Sequence, residues 1–377
     1  MRHVFTPERL VLARQRRRMT LAALAVKSGV SAQSITAFEN NRKQPSEDSL
    51  TSLADALGYP LPFFSRPAPV ELTPDAVSFR APSKMTALER DSALSSGAIA
   101  ADLNTWMEER FKLPHPNLPT FPHRSPSEAA AQLRAAWGLG EAPVPNLVHL
   151  LEANGVRVFS LASDCLDADA FSTIKTTTPF VFLNTRKTGQ RGRFDAAHEL
   201  GHLILHCQHR IPRGPSTESE ADEFASAFLM PEAGILAQQL HNASVDRILS
   251  AKRKWGVSAM ALTYRLRKLN LLSEWRYTQT AKELTRRGYR RGEPDVTEMA
   301  RESSQLLAKV FQVLRDQRIS PADVAADLEI SPAELNEYVF GLVPVTAVGT
   351  AVSAGSGAGS SATEERTARP ALRLIHS

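Results

Sequence analysis

Cysteine is scarce and long apolar runs are missing from this sequence. Two cysteines, Cys165 and Cys207, occur among 377 residues, so a disulfide framework is not indicated. No stretch approaches the roughly 18 consecutive apolar residues that a membrane-spanning helix needs. The first residues also lack the apolar core of a secretory signal peptide. We therefore expect a cytoplasmic protein with reduced thiols and no membrane partner.

Charge of one sign is in excess only near the N-terminus. The formal net charge is +5. Residues 1–66 contain ten Lys and Arg against five Asp and Glu, and the remaining residues carry 35 of each sign. A local basic excess is typical of a surface that binds phosphate, although a solvated helix face can have the same composition.

Prolines and changes of pattern divide the chain into five regions. The first shows short helices with tight turns, the second is a proline-bounded connector with one amphipathic helix, and the third mixes helices with strand-like runs. The fourth is helical and polar, with a helical hairpin expected at residues 320–338. The fifth is rich in Gly, Ser, Ala and Thr and is expected to be disordered. Their bounds are residues 1–66, 67–125, 126–275, 276–345 and 346–377.

The N-terminal region contains the pattern of two short helices joined by a tight turn. Thr20 is placed to cap a helix over residues 21–27, and Gly29 allows the left-handed backbone of a sharp turn. Ser31 then caps a second helix over residues 32–39. This arrangement is a helix-turn-helix, in which the second helix enters the major groove of DNA.

Polar side chains on and after the second helix suit contacts with double-stranded DNA. Gln33 can form a bidentate pair with adenine, and Ser34 and Thr36 can contact bases or phosphates. Three residues after the helix are expected to hold phosphates: Asn41, Arg42 and Lys43. Four more arginines are predicted to extend the basic surface: Arg14, Arg16, Arg17 and Arg18. A small helical protein-interaction domain is the alternative.

The run from Thr20 to Ser31, followed by Ile35, Glu39 and Leu50, resembles the Cro/repressor-type (XRE) helix-turn-helix domain. The resemblance covers about 60 residues. It implies binding to an operator in double-stranded DNA, and it implies a homodimer, since one such module usually binds DNA weakly.

The segment His198-Glu199-Leu200-Gly201-His202 has the H-E-x-x-H spacing. On a helix, residues four apart face the same side, so both imidazoles can bind one Zn2+ ion. Glu199 lies beside that ion and can deprotonate its water. The apolar sequence from Phe194 to Leu205 indicates a buried helix. A pair of histidines is unusual in a buried helix, so the pair indicates a specific function.

A third zinc ligand is expected from a nearby acidic helix, because catalytic zinc has three protein ligands and one water. Glu218 and Asp222 share a helix face, and we assign Glu218 to the metal and Asp222 to the orientation of His198. Glu220 is the alternative ligand. His206, one turn beyond the motif, is expected to give local support.

These motifs, with Phe194-Asp195-Ala196-Ala197 before the first histidine and Phe228-Leu229-Met230-Pro231 further on, resemble the ImmA/IrrE family of metallopeptidases. The resemblance covers roughly residues 145–270. It implies that two histidines and a glutamate bind zinc, that the first glutamate is the base, and that the substrates are repressor proteins. In that family repressor and peptidase are separate proteins, whereas here both types share one chain. The substrate is therefore open between another repressor, a toxin-system partner and this chain's own linker.

Together the patterns predict an α+β, mostly helical fold. An all-α helix-turn-helix domain is followed by a zincin-like metallopeptidase domain with a small sheet. Strands are expected at residues 156–161, 168–174 and 180–183, and helices at 194–206 and 218–228. Residues 179–184 are a candidate edge strand that could bind an extended peptide.

Two functions are compatible with these patterns. The first is a DNA-binding transcriptional regulator whose zinc-dependent endopeptidase cuts a repressor or regulatory partner. The second is a transcription factor whose zinc domain is a non-catalytic sensor or structural module. Glu199 favours the first, because a purely structural zinc site needs no base. A general peptidase ranks third.

Overall fold

The fold is known from a computed structural model, which describes nine parts of the chain. They are residues 4–72, 78–80, 85–121, 124–165, 169–206, 214–290, 292–294, 299–339 and 373–374. Cys207 and nearly all of the predicted disordered tail lie outside the described residues. Helices dominate the described residues, and one small sheet lies in the second domain. The expected α+β, mostly helical class is confirmed.

The N-terminal domain is all-α. Its elements are α1 (Pro7–Arg16), α2 (Leu21–Ser28), α3 (Ala32–Glu39), α4 (Glu47–Leu57) and a short 3-10 helix (Leu61–Ser65). Thr20 and Ser31 accept the backbone hydrogen bonds that cap α2 and α3. Gly29 ends α2 with a φ of 73°, the left-handed conformation that the turn requires. Both predicted helices are confirmed.

The region expected to be a connector contains β1 (Ser78–Arg80), α5 (Ala87–Glu108) and β2 (Phe111–Lys112). Helix α5 is not a surface spacer, since every residue from 92 to 101 is buried. Its small residues allow close packing: a Cβ on Gly97 would lie 2.8 Å from Leu72 Cδ1 and 3.0 Å from Phe171 Cζ. Arg9 of α1 pairs with Asp102 of α5 at 2.5 Å. The connector helix therefore joins the two domains through a packed interface.

The second domain surrounds a four-stranded sheet of order β1-β4-β5-β3. Its elements are α6 (Pro126–Ala136), α7 (Leu147–Ala153), β3 (Arg157–Ser160), β4 (Ala170–Lys175), β5 (Thr178–Leu183), α8 (Gly189–Leu205), α9 (Pro215–Leu229), α10 (Glu232–Leu236), α11 (Val245–Trp255) and α12 (Ala259–Lys268). Strand β5 pairs with β3 on one side and β4 on the other. The expectation that residues 179–184 form an edge strand is therefore wrong, because alternation along one strand does not show which neighbours pair with it.

The C-terminal region is helical, as expected. It contains α13 (Glu274–Arg286), α14 (Gln305–Asp316), α15 (Pro321–Asp327) and α16 (Pro332–Val339), and the last two form the predicted hairpin. Strand β6 (Arg373–Leu374) pairs antiparallel with β2. Among the described residues, no helix combines the length and apolar character needed to cross a membrane.

Candidate metal centre and DNA-binding surface

Helix α8 carries the H-E-x-x-H motif into the protein interior. Thr188 caps its N-terminus, and residues 195–204 are all buried. Gly201, inside the motif, faces α9, where an added Cβ would lie 3.1 Å from Phe224 Cδ1 and 3.2 Å from Ala221 Cα. The absence of a side chain at this position lets α9 approach closely, which brings its carboxylates to the histidines.

Three side chains from α8 and α9 converge on one point. Nε2 of His198 lies 3.0 Å from Nε2 of His202. Oε2 of Glu218 lies 3.2 Å from the first of these nitrogens, and Oε1 lies 3.3 Å from the second. A tetrahedral zinc ion with bonds of about 2.0–2.1 Å would hold its ligand atoms about 3.3–3.4 Å apart. Donor types and spacing therefore both fit a divalent metal ion.

The second nitrogen of each imidazole is hydrogen-bonded away from this point. Nδ1 of His198 lies 2.9 Å from Oδ1 of Asp222. Because a carboxylate only accepts, His198 holds its proton on Nδ1 and keeps the Nε2 lone pair for a metal. Nδ1 of His202 lies 2.9 Å from Nδ1 of His206. Both rings thus have a hydrogen-bond partner on the side away from this point, Asp222 for His198 and His206 for His202.

Glu220 contacts the cluster indirectly. Its Oε2 lies 2.9 Å from Nε2 of His206, so this ring donates to Glu220 and can accept the Nδ1 proton of His202. Glu218, in contrast, approaches both motif histidines directly. The geometry favours Glu218 over Glu220 as the third ligand. The bridging position of His206 goes beyond the local support expected from its spacing.

Glu199 is fully buried between α8 and the sheet. Its Oε2 accepts a hydrogen bond of 2.6 Å from Oγ of Ser172, on β4. This bond holds the carboxylate of the motif in one orientation. Sequence reasoning did not identify Ser172, because one serine in a strand-like run carries no sign of its partner.

The protonation states of the cluster suit a metal site. Burial lowers the pKa of His202 from 6.5 to about 4. Burial by itself would raise the pKa of Glu218, but hydrogen bonds with His198 and His202 outweigh it and lower that pKa below its ordinary value. Near neutral pH, His202 is neutral and Glu218 is charged, which are the forms that bind a metal ion.

Helix α3 presents its polar side chains to solvent. Thr36 donates a 2.8 Å hydrogen bond to the carbonyl of Ala32, and Ser34 accepts a 3.0 Å bond from Ser31, so these hydroxyls are partly engaged within the helix. The other four residues assigned to DNA contact are exposed: Gln33, Asn41, Arg42 and Lys43. All six lie on or directly after α3.

Comparison with known families separates the two domains. Residues 10–64 match the model of the helix-turn-helix family. Residues 151–267 match the model of a peptidase family described as the IrrE N-terminal-like domain. The chain joins a helix-turn-helix domain to an IrrE-like domain. Both resemblances stated from the sequence are confirmed. No curated protein matches the chain.

The two matches differ in what they cover. The IrrE-like match includes α8 and α9, and with them every residue of the metal cluster. Neither match reaches α13 to α16. The helix-turn-helix match indicates a DNA-binding regulator, and the IrrE-like match indicates a domain of metallopeptidase type.

A cavity of about 1150 Å³ adjoins the metal cluster of the IrrE-like domain. It is lined mainly by α8, α9 and α12, with Phe194, Asp222 and Tyr264 among its walls. The Asp222 carboxylate contacts His198 on one side and borders the cavity on the other. The cavity therefore adjoins the metal centre through Asp222.

Four arginines of the helix-turn-helix domain have hydrogen-bond or ion-pair partners within the protein. Arg14 pairs with Glu39, Arg16 and Arg17 pair with Glu334, and Arg18 donates to the backbone carbonyl of Asp164. Arg16 is only 3% exposed. The predicted extension of the basic surface is wrong for Arg14, Arg16 and Arg17, whose charges are paired with carboxylates, because a run of charges does not show acidic partners that lie far away in the sequence.

Proposed function

We propose that this protein is a DNA-binding transcriptional regulator whose zinc-dependent endopeptidase domain cuts a repressor or another regulatory partner protein. One observation carries the proposal: His198, His202 and Glu218 converge within a domain of a peptidase family. Their ligand atoms all lie within 4.8 Å of one another, and Glu199 directly follows His198 in the chain. A base beside a three-ligand site is the arrangement of a catalytic zinc centre.

The side chains divide the chemistry among them. His198, His202 and Glu218 hold the metal, and Asp222 orients the first of these rings. When bound, zinc supplies a Lewis acid that lowers the pKa of water and polarises a carbonyl group. The Glu199 carboxylate takes the proton of the attacking water and transfers it to the leaving amine.

The DNA-binding half of the proposal rests on the exposed face around α3. Gln33 contacts a base, with Ser34 and Thr36 beside it, while Asn41, Arg42 and Lys43 hold phosphates. A homodimer would bind an operator with two half-sites, as is usual for this type of domain. Both functions in one chain would bring the peptidase to the promoter that it regulates.

The substrate class has three candidates: a separate repressor, a toxin-system partner and this chain's own linker. The linker has one structural observation in its favour. Strand β1 pairs antiparallel with β4, with Ser78 opposite Ser172, the partner of Glu199. We place a separate repressor first because the sequence resemblance implies it, and the experiment below tests the linker at the same time.

The second candidate function is a transcription factor whose zinc domain only senses or stabilises. The observation in its favour is the complete burial of Glu199, which a base acting on a substrate in a cleft has to overcome. This function keeps the metal ligands and the DNA-binding face but predicts no cleavage.

Glu199→Gln separates the two candidates. We expect the wild type and this variant to hold one zinc per chain, and the variant to cleave a co-expressed repressor about 100- to 10,000-fold more slowly. Glu223→Gln, an exposed carboxylate of α9, is the control and should cleave normally. Mass spectrometry of the repressor and of the chain itself would identify the cut bond. Zinc in every variant with cleavage in none would support the second candidate, and a wild type without zinc would refute both metal roles.

A further inference from the structure

The C-terminal helices repeat the N-terminal helix-turn-helix unit at a constant offset of 300 residues. Helix α15 begins at 321 and α2 at 21, while α16 spans 332–339 and α3 spans 32–39. Helix α14 ends at 316 and α1 at 16. The offset holds through both turns with no insertion or deletion.

The turns also share their backbone conformation. Arg18 and Arg318 have φ values of 53° and 63°, and Gly29 and Glu329 have φ values of 73° and 55°. Glu329 takes the left-handed conformation although it is not glycine, which is unfavourable for a residue with a Cβ. The tertiary structure around the turn therefore maintains the left-handed conformation of Glu329, at the position where Gly29 has it in the N-terminal unit.

The caps and the small core repeat as well. Ser31 accepts a hydrogen bond from the backbone of Ser34, and Ser331 accepts one from the backbone of Glu334. Three pairs of equivalent positions are at most 2% exposed: Leu24 and Val324, Ile35 and Leu335, Phe38 and Tyr338. Caps, turns and core together make residues 305–339 a second helix-turn-helix unit.

The charges of the two units differ. Residues 319–339 contain five acidic residues and no Lys or Arg, whereas residues 19–39 contain one acidic and one basic residue. Position 334, equivalent to the DNA-contact position 34, is a glutamate. A helix with this charge is repelled by the phosphates of DNA.

The carboxylate of Glu334 is bound to the N-terminal unit. Its Oε1 lies 2.7 Å from Nε of Arg16, and its Oε2 lies 2.5 Å from Nη1 of Arg17. Tyr338 donates a 2.5 Å hydrogen bond to the same carboxylate. Glu334 is 5% exposed, so the contact is shielded from water.

Further contacts of the second unit reach the other domains. Ser160, at the end of β3, donates a 2.6 Å hydrogen bond to the carbonyl of Glu337. Asp327 accepts a 2.9 Å bond from the indole of Trp106 on α5, and its carbonyl accepts a 2.8 Å bond from Arg66. The unit thus contacts the helix-turn-helix domain, the connector helix and the IrrE-like domain together.

We propose that residues 305–339 form a second helix-turn-helix unit whose recognition helix, α16, binds this chain's own N-terminal unit instead of DNA. In the N-terminal unit this helix face contacts DNA. In the C-terminal unit the equivalent face contacts arginines of the N-terminal unit. This contact sets the orientation of the DNA-binding domain relative to the IrrE-like domain. It does not depend on peptidase activity.

Hydrogen exchange of the full-length chain tests the contact. Glu334→Gln should make the backbone amides of α1 exchange severalfold faster, because the Arg16 and Arg17 side chains lose a charged partner. Asn336→Ala, at an exposed position of the same helix, is the control and should leave α1 unchanged. Unchanged exchange in α1 for both variants would overturn the proposal.

Arg17→Gln tests the contact from the other side, so that unfolding of the C-terminal unit cannot explain the result. We expect faster exchange in α16. The effect of the double variant Arg17→Gln/Glu334→Gln on the free energy of exchange should be smaller than the sum of the two single effects. Strict additivity would overturn the contact.

DNA selection tests the second half of the proposal. Selection from random duplex DNA should enrich one site with the wild type, and Gln33→Ala should change the base preferred within that site. Enrichment of a second, unrelated site that Gln33→Ala leaves unchanged would show that the second unit binds DNA and would overturn the proposal.

Discussion

The metal cluster and the DNA-facing surface around α3 are built in opposite ways. His198 and His202 are at most 1% exposed, and each is hydrogen-bonded through the ring nitrogen that points away from the metal position. Gln33 and Arg42 are exposed side chains that must be ordered when they bind. A preorganised cluster should respond as a unit to any change, whereas exposed contacts should act one at a time.

Acid should affect the metal cluster most. The pKa of His202 is about 4 in the folded protein against 6.5 ordinarily, so the unfolded chain binds a proton first. The neutral His202 ring therefore contributes to the free energy of unfolding above pH 6.5, and this contribution is lost as the pH falls towards 4. At about 1.4 kcal/mol per pKa unit, the loss is roughly 3 kcal/mol.

Urea unfolding of the metal-free protein at pH 7 and pH 4.5 measures this loss. In His202→Gln, the part of the pH dependence that comes from His202 should be absent. An equal pH dependence in both proteins would contradict the prediction. No histidine is among the residues assigned to DNA contact, so the same change of pH should leave the α3 surface in one charge state.

The next largest effect is expected for His206 and Glu220, which support the proposed zinc ligands without binding the metal themselves. His206→Leu removes the acceptor for His202, and Glu220→Gln weakens the orientation of His206. Zinc affinity should fall about 10- to 100-fold for His206→Leu and less for Glu220→Gln. Competition with a chromophoric chelator measures it, with Glu223→Gln as the control. Unchanged affinity in both variants would show that the cluster is less preorganised than its geometry indicates.

Removing a single exposed base contact should have a smaller effect on affinity. Gln33→Ala should weaken operator binding about tenfold, in the lower part of the range for a bidentate base contact, because this side chain loses freedom when it binds. Affinity for unrelated DNA should not change. Fluorescence anisotropy with both duplexes measures it, and an equal loss on both would argue against a base contact.

The smallest effect is expected for a phosphate contact. Arg42→Ala should weaken binding a few-fold and lower the slope of log K against log salt by about one. Arg17→Gln is the matched control, and its slope should stay constant because Arg17 is paired with Glu334. A lower slope for Arg17→Gln would mean that this pair opens on DNA.

Local features of the fold could be predicted from the sequence. The ends of α2 and α3 follow from Thr20, Gly29 and Ser31, whose effects reach only three or four residues. Periodicity identified β4 and β5 but not their neighbours, so the central position of β5 was missed. The hairpin of α15 and α16 was predicted, but its likeness to the N-terminal unit was not, since equivalent positions share burial and backbone conformation more than residue identity.

By itself, the sequence determined the pair of imidazoles on one helix face, because a spacing of four residues acts through the helix alone. It also determined the caps and turns of the helix-turn-helix domain. Only the tertiary structure decided which glutamate approaches both imidazoles, across 20 residues from His198 to Glu218, and that Arg16 faces Glu334, 318 residues away, instead of solvent. Such contacts depend on how helices pack, and packing is decided by the whole chain.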